Sequence, residues 1–259
     1  MKKFLIFILT FGITLPSFAG DNNNPEKKDK DKPSTVVTPM KIRNREARPD
    51  IPGSFVIDFG FNALQSSPES LETGMIGSRT VNLYYYRDIA IGNSNFVLMP
   101  GIGVGLDRYK FDENITLTQS ADANGDNMVS ITDLNTALPD ADFKKSHLIT
   151  NYIDIPLEVR YYVNADDKKR SFNIGVGGKA GILFGAHTKL KYDLNDEANK
   201  IKEKKEYGLN RFRYGLTGRI GIGGFNFFYY HSLSTMFDDG PAGTEDTSNI
   251  TVGISVTGF

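Results

Sequence analysis

The sequence predicts an all-β protein: an eight-stranded antiparallel up-and-down transmembrane β-barrel that follows a disordered N-terminal leader. Three observations carry that expectation. From Gly53 onward apolar side chains fall at every second position, the period of a strand with one greasy and one polar face. About eight such stretches occur, an even number within the range of single-chain membrane barrels. Their connections alternate in length: those near residues 88–94, 164–170 and 223–224 are short, and those near 62–79, 111–147, 190–208 and 234–248 are longer. Short turns on one rim and long loops on the other place both ends of the barrel on the periplasmic side.

The N-terminal segment reads as an export signal. "MKK" precedes the apolar run "FLIFILTFGITL", then Pro16 and the small-residue ending "SFA" before Gly20. That run is shorter than the roughly 20 residues of a bilayer-spanning helix, so residues 1–19 are assigned to a signal peptide and not to an anchor. Residues 20–50 mix both charge signs with Asn and Pro and carry almost no large apolar side chains, which predicts a disordered periplasmic leader. The barrel is assigned to residues 51–259. No cysteine is present, so neither a disulfide scaffold nor a lipid-attachment thiol is available. A net charge of −1 argues against a nucleic-acid partner.

The strands can be taken in order. "SFVIDFGFN", "TVNLYYYR" and "NFVLMPGIGVGLD" supply the first three. In "HLITNYIDIPLEVRYYV" the odd positions Ile149, Ile153, Ile155, Leu157, Val159 and Val163 form the apolar face, and Asp154, Glu158 and Arg160 lie opposite. "SFNIGVGGKAGILFG" places Phe172, Ile174, Val176, Ala180, Ile182 and Phe184 on one face, with Asn173, Lys179 and glycines on the other. "RFRYGLTGRIGIG", "FNFFYYHSL" and "NITVGISVTG" complete the set. Phe225, Phe227, Tyr229 and Tyr230 suggest an interfacial aromatic girdle.

An eight-stranded barrel is just wide enough for side chains to fill it. The lumen-facing set is expected to contain Asp58, Asp154, Glu158, Arg160, Lys179, Arg211, Arg213 and Arg219, both signs together in a space shielded from water. Mutual ion pairing is then the cheapest arrangement, because an isolated buried charge is costly. Two irregularities are expected. Pro156 lacks the N–H that a barrel strand needs, which suggests a bulge there. Ile250, Val252, Ile254 and Val256 are even while Phe259 is odd, so either a bulge near Gly258 restores the phase or the aromatic overhangs.

"NYIDIPLEVRYYV", "FNIGVGGKAGILFGAHTKLKY" and "LNRFRYGLTGRIGIGGFNFFYYHSLSTMF" together resemble the PorT-like outer-membrane β-barrel family, most strongly over residues 147–237. The resemblance implies an outer-membrane barrel of a Gram-negative bacterium. Outer-membrane lipid, the barrel-assembly machinery during insertion, and an extracellular or envelope protein partner are the partners to expect.

One stretch does not read as barrel. "DANGDNMVSITDL", residues 122–134, has the spacing of a twelve-residue EF-hand-type calcium loop. Asp122, Asn124 and Asp126 take the first, third and fifth slots, the Met128 carbonyl the seventh, Ser130 the ninth and Asp133 the twelfth. Val129 takes the apolar eighth slot. The segment also resembles dockerin-type loops, which close with Asp, and "DLNTALP" predicts an exit helix of about two turns before Pro139. Ca²⁺ is therefore the expected cofactor, ordering an exposed loop.

No enzyme is expected. His231 and Ser232 point to opposite faces of a strand, and no Ser–His pair at same-face spacing occurs locally. The sequence thus points to a non-enzymatic barrel with a structural or surface-binding role. The alternatives are a barrel subunit of an envelope assembly, such as a secretion apparatus, and a lipid-modifying enzyme.

Overall fold

The computed structural model describes residues 53–121 and 127–258. The segments expected to form a signal peptide and a leader, together with Asp122, Asn124, Asp126 and Phe259, lie outside the described residues. Among the described residues twelve strands occur in the order β1 (Ser54–Gln65), β2 (Arg79–Tyr86), β3 (Ile89–Ala90), β4 (Phe96–Lys110), β5 (Ile115–Ala121), β6 (Asn127–Asp133), β7 (Asp142–Tyr162), β8 (Phe172–Leu194), β9 (Glu197–Glu203), β10 (Phe212–Ile222), β11 (Phe225–Ser232) and β12 (Ser248–Gly258). A single helical turn, α1 (Leu134–Ala137), follows β6.

Eight of these strands close a cylinder in the order β1, β2, β4, β7, β8, β10, β11, β12, each antiparallel to its neighbours. Closure runs from Phe55 opposite Gly258 to Gln65 opposite Ser248, without a register shift. The remaining strands decorate the ring. β3 pairs with the start of β4, β9 pairs with the far end of β8, and β5 and β6 form a hairpin of their own. A closed cylinder leaves no ring edge unpaired, the condition for a sheet to sit in hydrocarbon.

Alternation decides what each face meets. Phe59, Ile102, Ile155, Leu157, Val176, Ile220, Phe227 and Ile254 point outward and are exposed. Aromatic side chains ring the short-turn end, with Phe55 5.2 Å from Tyr85 and Phe96 5.1 Å from Tyr161 between ring centroids. Phe225, Phe227 and Tyr229 join the outward set, but Tyr230 is buried in the lumen, because a residue adjacent to Tyr229 must face the other way.

The bulge expected at Pro156 is absent. Register there is continuous on both sides, and the β4–β7 ladder instead skips the pairs opposite Gly101 and Ile102. Gly101 leaves room for the proline ring, since a Cβ there would stand 3.0 Å from Pro156 Cγ. The irregularities in register lie between β7 and β8: one falls between Phe143 and Lys145, and at the other Asn151 pairs with Gly185 and Tyr152 with Leu183, leaving Phe184 as the extra residue. Beyond it the inward set of β8 changes phase to Thr188 and Leu190. Near the C-terminus the pairing stays in step through Gly258, so no bulge restores phase there.

β7 and β8 run to 21 and 23 residues, about twice what a tilted bilayer crossing requires. Their far halves carry the long loops well beyond the apolar band. β8 turns into β9 through Asn195 and Asp196 with φ of 53° and 63°, the backbone of a two-residue type I′ hairpin.

Replacing Leu157 by Arg, in the outward mid-band, should cost about 2–4 kcal/mol of folding free energy in vesicles. Ile201→Arg, on β9 above the band, should cost less than about 1 kcal/mol. Urea-driven unfolding in lipid measures both, and equal costs would contradict the outward placement of Leu157.

Candidate functional site: a filled lumen beneath a crown of long loops

Inward-facing positions stack in layers. At the short-turn end an apolar layer holds Val56, Tyr84, Tyr86, Val97, Met99 and Tyr162. Above it lie Asp58, Glu158, Arg160 and Arg219. Arg219 Nη1 and Nη2 donate to the two Asp58 oxygens at 2.7 and 2.8 Å, and Nε donates to Glu158 Oε1 at 2.8 Å. Arg160 Nε and Nη2 donate to Glu158 Oε2 at 3.0 and 2.8 Å, and the Tyr86 hydroxyl donates to Oε1 at 2.9 Å. Two guanidinium groups thus face two carboxylates, a neutral quartet.

A second quartet follows. Arg213 Nε and Nη2 donate to Asp154 at 3.0 and 2.7 Å, and Nη1 donates to Asp107 at 2.5 Å. Lys179 Nζ lies 3.6 Å from Asp154 and donates to the Tyr84 hydroxyl at 3.3 Å, and Tyr84 in turn donates to Asp154 at 2.8 Å. Lys179 also sits 3.9 Å from the Tyr230 ring centroid, and Arg213 lies 3.9 Å from that of Tyr152. The sum is again zero charge. All eight ionised side chains are buried. Glycines make the space: a Cβ on Gly105 would stand 2.2 Å from Arg213 Nη2, and one on Gly181 2.2 Å from Asp154 Oδ1.

Seven of the eight expected lumen residues therefore meet as sequence reasoning places them. Arg211 does not. It precedes β10, is exposed, and lines a cleft of about 440 Å³ at the mouth with Glu206, Asp238 and Asp239. Its position is set by the loop 204–211 and not by strand alternation. Asp107 was missed because "GLDRYK" gives little apolar alternation around it, although its parity with Tyr109 is readable in hindsight.

The mouth itself is closed by an apolar cluster that joins Leu71, Tyr109, Ile115, Leu117, Leu148 and Phe237 with further residues of the loops. The β5–β6 hairpin contributes Leu117, which is fully buried, and Val129. Its position is fixed by Lys205 Nζ donating to the Gln119 carbonyl at 2.9 Å and by the Tyr207 N–H donating to Gln119 Oε1 at 3.1 Å. The Ser146 hydroxyl donates to the Ile115 carbonyl.

The calcium donors fall on this hairpin. Asp122, Asn124 and Asp126 lie outside the described residues. Met128, Ser130 and Asp133 lie along β6, opposite Ser120, Thr118 and Ile115. At about 3.3 Å per residue, Met128 and Asp133 stand roughly 17 Å apart along the strand, so these three do not converge on one ion in this conformation. Ser130 Oγ is 3.0 Å from Thr118 Oγ1. Asp133 caps α1, accepting from the Asn135 N–H at 2.9 Å and the Thr136 hydroxyl at 3.0 Å, and the Asn135 N–H lowers its pKa. The described half of the donor set is thus spread along β6 and not gathered around one point. The exit helix is one turn, shorter than the expected two, because extended pairing continues to Asp133.

The histidines form no catalytic set among the described residues. His231 Nδ1 lies 3.3 Å from the Tyr229 hydroxyl on the outer face, whereas Ser232 and Ser234 face inward, 3.2 Å apart at their hydroxyl oxygens. His147 and His187 lie among lysines on the outer wall.

The family described as outer membrane protein beta-barrel domain matches residues 50–238, nearly the whole ring and its loops. The chain belongs to the outer membrane protein beta-barrel domain family. Among solved structures, Ail, the attachment invasion locus protein of Yersinia pestis, is 10% identical with a TM-score of 0.33, covering 80% of this chain and 97% of that one. A second structure of Ail, in complex with the heparin analogue sucrose octasulfate, is 11% identical with a TM-score of 0.32 and the same coverage. A mutant of Rh. blastica porin is 8% identical with a TM-score of 0.18, covering 80% and 98%. No curated protein matches the chain. Membership places this outer-membrane barrel in a lipid environment, with the aliphatic outer face against acyl chains.

Arg219→Met leaves Asp58 and Glu158 short of a shared partner and should cost about 3–5 kcal/mol. Gly105→Val should also destabilise, by forcing Arg213 off Asp154. Loss of the compact, heat-modifiable band on gels reads both, and a fully folded Arg219→Met barrel of unchanged stability would contradict the pairing.

Proposed function

We propose that the chain is a non-enzymatic outer-membrane barrel that passes no solute and acts through its extracellular crown, as a surface that binds a partner outside the cell. The observation that carries this reading is the filled lumen. Two neutral ion quartets are stacked between apolar layers, and the upper layer is sealed by the β5–β6 hairpin. A cylinder so packed leaves no open aqueous path among the described residues, whereas the long strands β7 and β8 invest many residues in lifting loops clear of the membrane. The clefts between those loops, one of about 440 Å³ and another of about 680 Å³ beside Asp112, Glu113 and Asp133, offer concave polar surface for recognition.

Purified protein in planar bilayers should give no unitary conductance steps. An epitope inserted between β5 and β6 should be reachable by antibody on intact cells, and replacing residues 115–133 by a short turn should reduce attachment of expressing cells to immobilised proteins or glycans. Stable open-channel currents from the wild-type chain would overturn the reading.

Calcium ordering of the crown is a further part of the proposal, resting on the spacing of residues 122–133 alone. It requires the hairpin to open so that Asp122, Asn124, Asp126, Met128, Ser130 and Asp133 can converge. Calorimetric titration of Ca²⁺ into the wild type should show heat that an Asp122→Ala, Asp126→Ala variant lacks; matching traces would remove calcium from the account.

A further inference from the structure

Above the apolar band the outer wall of the barrel changes character abruptly. On β4, β7 and β8 the outward positions that carry Leu106, Ile153 and Ile182 lower down give way to mostly basic side chains, and β9 adds Lys200 and Lys202 beside them. Strand register sets these in rows. Arg79 stands opposite Arg108, and Ile149 links that pair to His187. Lys110, His147, Lys189 and Lys202 form the next row, each directly opposite the next across four strands. Lys145, Lys191 and Lys200 form a third.

Like charges directly opposite one another in a sheet repel. No carboxylate offsets them: none of these cations forms a salt bridge among the described residues. The acids nearby are committed or peripheral. Asp142 and Asp193 take Lys144 at the strand tips, Glu203 faces the other side with Lys205, and Asp112 lies two residues beyond Lys110. The centre of the wall also holds unsatisfied polar atoms. His147 is only 6% exposed, yet its Nδ1 has no hydrogen-bond partner among the described residues, and Arg108 Nε likewise has none. Burial, followed by Arg108, Lys145, Lys189 and Lys110, lowers the His147 pKa to about 4. The imidazole therefore stays neutral at neutral pH and supplies a hydrogen-bonding group without adding to the repulsion.

We propose that this wall binds the phosphate groups of lipids in the outer leaflet. Its location selects that source over a soluble polyanion. The rows lie on the side of the barrel, continuous with the hydrocarbon-facing surface and at the height where headgroups begin, and not on the loop tips where a soluble ligand would arrive. Phosphate oxygens accept from lysine and arginine as charge-assisted bonds, so one headgroup bearing two phosphates can bridge neighbouring rows and neutralise several cations at once. The proposal rests on the outer-membrane placement and is independent of the surface-binding role of the crown.

The test uses the full chain in neutral-detergent micelles, titrated with bisphosphorylated lipid A, with its dephosphorylated form, and with a soluble sulfated polysaccharide as competitor. Native mass spectrometry or a fluorescence titration reads binding. Bisphosphorylated lipid A should bind, its affinity should fall with added salt, and a Lys110→Gln, Lys189→Gln, Lys202→Gln variant should bind roughly a hundredfold more weakly, at about fivefold per lysine near a charged surface. Should that variant lose its heat-modifiable folded form, Lys200→Gln with Lys202→Gln, both exposed on β9, should weaken binding roughly thirtyfold. Equal binding of phosphorylated and dephosphorylated lipid would overturn the proposal, because the apolar band alone would then hold the lipid. Tighter binding of the polysaccharide than of lipid A would overturn it too, by assigning the wall to a soluble polyanion.

Discussion

Two guanidinium groups on one strand, Arg213 and Arg219, hold the interior of this cylinder together. Each reaches across the lumen to carboxylates on walls that are not its own neighbours: Arg213 to β4 and β7, and Arg219 to β1 and β7. Their planar, multi-donor geometry lets one cation satisfy two acids at once, which a lysine in the same place would not do. With the ring closed by backbone hydrogen bonds, these bridges determine that the space inside is occupied and that the eight walls keep one relative arrangement. The apolar layers above and below exclude the water that would otherwise weaken the pairing.

Much of this was legible in the sequence because a membrane barrel obeys one strict period. The alternation in "YIDIPLEVRYYV" separates Ile155, Leu157 and Val159 from Asp154, Glu158 and Arg160, and the structure keeps that separation to the last residue. Charge balance in the lumen was readable for the same reason: an odd–even pattern that buries acids and bases on one face leaves them little choice but each other. Where reading failed, parity was interrupted or irrelevant. Arg211 sits in a loop, Phe184 inserts an extra residue that reverses the faces of β8, and Pro156 is absorbed by missing pairs opposite Gly101. None of these leaves a mark in hydrophobicity alone.

The crown was the least legible part. β9 is rich in lysine and glutamate and has no continuous apolar face, so it reads as loop, and only its pairing with β8 makes it a strand. The stretch at 127–133 alternates as "NMVSITD", short enough to read as a turn-rich metal loop, yet its Val129 is drawn into the mouth core and its carboxylate caps a helix. Tertiary contacts at the mouth, made by residues distant in sequence, decide these local conformations. The lysine rows on the outer wall were hidden similarly: in sequence they are scattered over four segments, and only the register of four strands brings them side by side.

The neutral quartets also constrain how the chain enters a bilayer. Each draws its members from three strands or more, so no contiguous hairpin completes either quartet, and Asp58 and Asp107 lack their arginines until β10 arrives. A partly threaded sheet would expose unpaired ions to acyl chains. Insertion is thereby coupled to curling of the whole ring, and translocation of early strands must wait in a wet or shielded setting until the late ones arrive.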